Sequence, residues 1–324
     1  MDRWRSLLYL SREDVVAAGL TMGEIIEAVT WVFLAKGEGR AQAPPKGAVY
    51  PYEDGFINSM PALVPGAVGV KWVSAYPSNA RLGLPNIHAL LVLNDPVTGA
   101  PLAVMDATWI TAMRTGAVTG LSARLLASPG ASTVAVLGCG VQGRTNLEAL
   151  ALVLPVTQVL AYDIDPAAQA GYVCQMRASY PGLEVVGVGE PYAAVSQAGV
   201  VVTAGPILKH PSPPIQREWL GPGGLGTPVD YDSYWTPEAV NACDRFFVDD
   251  LGQFAFLRTH GYFRHLREPD GDLGQVVAGQ VEGRREPGER IIIMNLGLAI
   301  TDVVTARAVY QRALEKGLGT VLPL

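Results

Sequence analysis

The stretch Ser132-Thr-Val-Ala-Val-Leu-Gly-Cys-Gly-Val-Gln-Gly-Arg144 constrains this chain more than any other. Thr133 to Leu137 is a β-branched and apolar run of the kind that forms a buried strand, and Asn146 to Leu154 reads as a helix. Between them Gly138, Gly140 and Gly143 stand in G-x-G-x-x-G spacing. The first glycine permits a tight turn and the second lets the backbone approach a pyrophosphate. The third lets the helix pack close to the strand, with its N-terminal N–H groups aimed at the phosphates. Taken alone, this is also the pattern of an ordinary glycine turn. What separates the two readings is a second apolar run, Gln158 to Tyr162, that ends in Asp163, where a ribose-binding carboxylate belongs. Strand, glycines, helix, strand and acid in this order predict a dinucleotide site. The Asp163 carboxylate would accept hydrogen bonds from ribose hydroxyls and repel a 2′-phosphate. Ile164 and Asp165 follow it rather than an arginine, so NAD is expected in preference to NADP.

The same rhythm continues downstream. Pro166 to Ala178 reads as a helix, Val185 to Val188 as a strand, Tyr192 to Gln197 as a helix, and Gly199 to Thr203 and Arg245 to Asp249 as strands. Alternation of this kind predicts an α/β, Rossmann-type, doubly wound parallel sheet, with six strands expected. Upstream the signals change. Ser11 with Asp14 and Thr21 with Glu24 resemble capping boxes, and Ile25 to Lys36 keeps helical period. Short strands follow at Ala48 to Pro51, Phe56 to Pro61, Val68 to Ala75, Ile87 to Asn94 and Leu102 to Met105. Thr108 to Ala127 reads as a long helix holding Arg114, with Gly116, Ala117, Gly120 and Ala123 beside it. Such small residues serve either helix–helix packing or the close approach of another backbone or a cofactor. The last helix, Leu298 to Lys316, is expected to return to the N-terminal part. The predicted domains are therefore 1–127 plus 298–324, an α+β unit built from both chain ends, and 128–297, the dinucleotide-binding unit.

Composition bounds the partners. A chain of 324 residues with 49% hydrophobic and 17% charged residues can bury a sizeable core in each of two domains. A net charge of −6 without a basic cluster argues against nucleic acid. Cys139, Cys174 and Cys243 lie far apart and form no C-x-x-C pair, and His88, His210, His260 and His265 have no metal-ligand spacing, so no metal is expected. Met1 to Ser6 carries charge but leads into no signal-like apolar core, and no apolar run reaches membrane-spanning length. The expectation is a cytoplasmic protein away from membranes.

Lys71 lies in mid-strand, within Gly69-Val-Lys-Trp-Val-Ser74. On pattern alone such a lysine is an exposed edge-strand charge. Four segments, however, resemble the ornithine cyclodeaminase and mu-crystallin family over nearly the whole chain. They are Gly69 to Asn79, Thr98 to Ala103 through Thr111 to Thr115, Gly138 to Arg144, and Asn295 to Asp302. Ile87-His88 with Val92 to Asp95 and Arg114 to Val118 is also similar to the branch named after the second subunit of tyramine oxidase.

The resemblance implies a Rossmann domain plus a substrate and dimerisation domain whose open sheets pair across a homodimer into a barrel. It implies NAD or NADP as cofactor and a small amino acid or its cyclic imine as substrate, in the manner of cyclodeaminases and ketimine reductases. Carried over by position, Lys71 is the lysine beside the substrate, and Arg114 holds the substrate carboxylate near the nicotinamide. Lys46 stands where many members have an arginine on the same carboxylate. Asp232 matches the general acid/base of cyclodeaminases. Val141, Gln142 and Asp163 match cofactor contacts, with Asn86 and Thr203 beside them. Asn295 stands where members usually have a serine against the cofactor, and Asn58 where ornithine cyclodeaminase has a glutamate, which tells against ornithine itself.

In physical terms, Lys46 and Arg114 could fix a carboxylate, and Lys71 could be a base if burial beside cations lowered its pKa. Asp232 could activate water or an attacking amine, or it could be a turn aspartate, and Asp230 is a rival for the same duty. Two other functions use this fold: a nucleotide-retaining binding protein of the mu-crystallin type, and an accessory subunit of an amine oxidase.

Overall fold

The protein is described by a computed structural model covering residues 5–52 and 54–324. Met1 to Trp4 of the charged N-terminal stretch lie outside the described residues.

The chain opens with β1 (Ser6–Leu10), α1 (Arg12–Ala17), α2 (Met22–Gly37), β2 (Gly47–Tyr52), β3 (Gly55–Val64), β4 (Ala67–Ala75), β5 (Ile87–Asn94), β6 (Pro101–Asp106) and α3 (Thr108–Leu126). It continues through β7 (Thr133–Leu137), α4 (Val141–Val153), β8 (Gln158–Tyr162), α5 (Pro166–Ser179), β9 (Glu184–Gly187), α6 (Pro191–Val195) and β10 (Val200–Thr203). Then come β11 (Leu225–Pro228), α7 (Pro237–Asn241), β12 (Arg245–Val248), α8 (Leu251–Thr259), β13 (Gly271–Asp272), α9 (Leu273–Val277) and β14 (Ile291–Met294). The chain ends with α10 (Ala299–Lys316) and β15 (Thr320–Pro323). It forms two compact units, one of residues up to Arg114 with Leu298–Leu324, the other Thr115–Gly297; the division falls inside α3.

In the first unit, both capping boxes form. Ser11 and Asp14 cap α1 reciprocally, and Thr21 and Glu24 cap α2. The sheet runs β15-β1-β6-β5-β4-β3-β2, antiparallel except for the parallel β1–β6 pair. Its central strands largely alternate between a buried and a more open face. Met60, Lys71, Leu91, Met105 and Leu10 form one buried row across five strands. On the buried side α10 packs on α2, β3, β4 and β5. The opposite row is Pro61, Val70, Val92, Val104 and Tyr9, flanked by Trp72 and Leu90, which are 42% and 46% exposed. β3 runs past Pro61, where the sequence signal stops. The pairing with β2 reaches only to Ser59, so β3 is locally an edge at Pro61 and the missing N–H breaks no ladder there.

The second unit is a parallel sheet in the order β13-β12-β14-β11-β10-β7-β8-β9. Starting from β7, the chain winds one way through β8 and β9, then returns to pair β10 on the other side of β7. That reversal between β7 and β10 is the switch point where open α/β sheets bind ligands. The sheet has eight strands rather than the expected six. β14 inserts between β11 and β12, and β13 adds beyond β12. Among the described residues, no helix is long and apolar enough to cross a membrane.

Candidate active site

The glycine loop of the second unit gives each glycine a different duty. Gly138 has φ +102°, and a Cβ there would stand 2.6 Å from the Ala204 carbonyl oxygen. A Cβ on Gly143 would collide with the carbonyl oxygen of Gly138, so this glycine lets α4 sit against the turn. Gly140 meets nothing within 4 Å and is the N-cap of α4, which has no side-chain cap hydrogen bond. Open space and first-turn N–H groups without a side-chain cap are what a pyrophosphate needs. Val141 is exposed and Gln142 half-buried at this mouth. Asp163 follows β8, where its Oδ2 accepts the Cys139 N–H at 2.7 Å and its Oδ1 accepts the Asp165 N–H at 2.9 Å. A carboxylate has about four acceptor positions, so these bonds orient Asp163 and leave capacity for ribose hydroxyls. The residues present therefore fit a dinucleotide.

Thr203 ends β10, in register with Leu137 and Pro228. Its hydroxyl donates to Asp230 Oδ1 at 2.7 Å, and Asp230 Oδ2 accepts the Gly205 N–H at 2.9 Å. Asp230 is fully buried, and that burial pushes its carboxyl up to about 7 against the Thr203 and Gly205 hydrogen bonds, which favour the anion. Asp230 is thus committed to tying the loop after β10 to the loop after β11. Tyr231 then takes a left-handed φ of 62°, a cost to a bulky residue offset by ring packing 5.3 Å from both Tyr262 and Phe263. That turn carries the chain from Asp230 to Asp232, whose carboxyl burial raises and a hydrogen bond from the Phe263 backbone lowers, with a net rise. Tyr231 and Phe263 carry no sequence signal for this role. Asn295 follows β14 and is buried, with its amide toward Thr119 and Ser122 of α3 at 3.3 and 3.5 Å.

In the first unit, the structure overturns the edge-strand reading of Lys71. β4 is an interior strand, and Lys71 is 1% exposed on its covered face. Its neighbours in the row are apolar, so burial is the largest influence and brings the ammonium down to about 7. Asp302 opposes that fall, while Arg114 and Lys46 add to it. Nζ donates to Asp302 Oδ1 at 2.8 Å and to Thr111 Oγ1 at 3.3 Å. Arg114 donates through Nε to the same Asp302 oxygen at 2.9 Å. Lys46, Lys71 and Arg114 are thus brought together and buried, and Asn58 is buried on the same face of the sheet. Asn86 is exposed just before β5, and its carbonyl accepts the Tyr76 N–H. Asp302 closes the cluster; it ends the fourth family-like segment, yet no local pattern there marks it as a partner of Lys71. Among the described residues, no group of three or more His, Cys, Asp or Glu could hold a metal ion.

The model of the ornithine cyclodeaminase/mu-crystallin family matches residues 8–317. An alanine dehydrogenase of Archaeoglobus fulgidus is 35% identical over 325 residues, covering 97% of each chain. The solved structure of Thermococcus litoralis Δ1-pyrroline-2-carboxylate reductase with NADH and L-proline superposes with a TM-score of 0.87 at 32% identity. It spans 97% of this chain and 99% of that one. An archaeal alanine dehydrogenase dimer with bound NAD gives 0.86 at 33% identity, over 98% and 99%.

Proposed function

The chain belongs to the ornithine cyclodeaminase/mu-crystallin family, and on that premise we propose that it is an NAD-dependent oxidoreductase or deaminase acting on a small amino acid or its cyclic imine. The observation that carries this reading is a lysine with its proton affinity near neutrality, buried beside a second and third cation. A purely nucleotide-binding protein has no use for such a group. Relatives that are an alanine dehydrogenase and a pyrroline-2-carboxylate reductase, with NAD or NADH in the solved structures, support it.

When bound, the nicotinamide supplies the acceptor or donor of hydride. Gly138, Gly140, Val141, Gln142, Gly143, Asp163, Thr203 and Asn295 would hold the dinucleotide, and the family resemblance adds Asn86 and Arg114 as cofactor contacts. Asp302 takes the Nε of Arg114, so its Nη pair can receive a substrate carboxylate, with Lys46 as a second, point-like charge. Neutral Lys71 removes a proton from the substrate ammonium, which frees the nitrogen lone pair to assist loss of hydride from Cα. Asp232, with its carboxyl raised, is the better acid/base at the imine carbon, because Asp230 is occupied by Thr203 and Gly205. The first unit would be the substrate-binding and dimerisation domain, with its exposed apolar sheet face meeting a second copy.

A panel of amino acids and cyclic imines with NAD(H) and NADP(H), followed at the reduced-nicotinamide absorbance band, tests the reading. Turnover of one of them is the expected result. Tight NADH binding with no turnover on the whole panel would overturn it in favour of a binding protein.

A further inference from the structure

Two cations converge on one oxygen in the first unit. Lys71 Nζ and Arg114 Nε both reach Asp302 Oδ1, at 2.8 and 2.9 Å, and all three side chains are buried. Asp302 Oδ2 is buried too and, among the described residues, meets no hydrogen-bond donor. Around Lys71, β3 and β5 present Met60 and Leu91, which do not titrate. α3 presents Arg114 and the Thr111 hydroxyl, the segment before β2 presents Lys46, and α10 presents Asp302. Three cations, Lys71 among them, therefore gather here, and two of them share one carboxylate, which comes from the first turn of α10.

We propose that Asp302 is a positioning residue for the reaction: its Oδ1 clamps the Lys71 ammonium and the Arg114 guanidinium in one register, and its charge governs how readily Lys71 gives up its proton. This rests on the reading of the chain as an amino-acid or imine oxidoreductase. The step served is a plain proton transfer. Neutral Lys71 takes one proton from the substrate ammonium, becomes an ammonium held by Oδ1, and returns the proton to solvent or, in the reverse direction, to the product nitrogen. Without the carboxylate, burial, Arg114 and Lys46 all favour neutral Lys71. Lys71 would stay deprotonated to lower pH and Arg114 would lose its anchor. Because Oδ2 faces no donor, Asp302→Asn can keep an oxygen on the two cations and place its NH2 where nothing opposes it.

The experiment is the pH profile of kcat/KM for wild type, Asp302→Asn and Asp302→Glu on the substrate found by the panel. Wild type should lose activity below an acid limb near 7. In Asp302→Asn that limb should move about one to three pH units lower, the usual effect of losing an adjacent opposite charge, with KM raised. Asp302→Glu, which keeps the charge, should hold the limb near wild type. An equal loss of kcat at every pH in Asp302→Asn, with the limb unmoved, would reduce Asp302 to a structural ion pair and overturn the proposal.

A second measurement needs neither turnover nor a variant at 302. In 13C NMR of the wild-type apoprotein, Lys71 Cε should titrate near 7, and the Asp302 Cγ signal should move with the Lys71 step and stop doing so in Lys71→Met. An Asp302 Cγ signal blind to the Lys71 step would overturn the coupling even if Asp302→Asn failed to fold. Absence of turnover in wild type would instead sink the functional reading and leave this titration to judge Asp302 by itself.

Discussion

Gly143 packs so closely on Gly138 that a Cβ on the former would collide with the carbonyl oxygen of the latter, while Gly140 between them faces open space. One motif thus holds two glycines needed for the fold and one that we propose serves the ligand. Gly143→Ala should destabilise the protein by about 1–3 kcal/mol, as overpacking does, read as a lower thermal midpoint. Gly140→Ala, at an ordinary φ of −79°, should melt like wild type yet bind NADH roughly tenfold or more weakly, about 1.4 kcal/mol. Equal melting and equal NADH affinity for both variants would contradict this division.

Asp163 is held in place by the N–H groups of Cys139 and Asp165, so its charge is fixed at the end of β8. A 2′-phosphate there would meet a carboxylate. NADH should bind more tightly than NADPH in a fluorescence titration. Asp163→Ser should narrow or reverse that preference by about tenfold or more, since hydrogen bonds to a charged group contribute about 1.5–3 kcal/mol. Tighter NADPH binding by wild type would refute the assignment.

Local chemistry was legible in the sequence, and long-range pairing was not. Ser11 with Asp14 and Thr21 with Glu24 signal their helices because each box closes within one turn. The glycine loop and Asp163 are legible for the same reason, since strand, turn and helix are contiguous. Asp302 is 231 residues from Lys71, so no window of sequence shows that a lysine in a strand has a buried partner. Period-two alternation marks the faces of β4 correctly but not which face α10 covers, because the outer face, with Trp72 and Leu90, is also apolar. The Ile291–Met294 strand is not among those expected from the sequence, and nothing local places it between β11 and β12.

That outer face should be covered in an assembly. Pro61, Val70, Val92, Val104 and Tyr9 form a row across five strands, beside Trp72 and Leu90. A contiguous apolar surface of this kind marks an interface, and an archaeal alanine dehydrogenase of the same fold is a dimer. Sedimentation should find a dimer at micromolar concentration, and Trp72→Glu should shift it toward monomer. A wild-type monomer under those conditions would rule the interface out.

Asp230 makes a prediction about pH and stability. Its carboxyl rises from the ordinary 3.8 to about 7 in the folded state, chiefly through burial. Between those values the native state binds the extra proton, so the stability this group contributes is complete below about 4 and is lost as pH rises through 7. Thermal midpoints from pH 4 to 8 should fall less steeply in Asp230→Asn than in wild type. Parallel curves would show that Asp230 does not titrate in this window.

Lys71 carries the sharpest prediction, because its burial can be separated from its chemistry. Lys71→Met keeps the length of the stem in the row with Met60 and Leu91, and Asp302 retains Arg114 as a partner. Folding and NADH binding should therefore stay close to wild type. In wild type the folded lysine gives up its proton near 7, whereas the unfolded one keeps it to about 10.5. The unfolded state thus binds more protons across that window, and this group's stability contribution rises with pH there. The variant should lose that rise. Turnover should fall about a hundredfold or more, as removal of a general base usually costs, with KM changed far less because Arg114, the proposed carboxylate site, is untouched. A buried lysine with a structural role alone would change the melting curve and spare kcat. Full activity of Lys71→Met on a verified substrate would remove Lys71 from the chemistry and leave Asp232 as the remaining base.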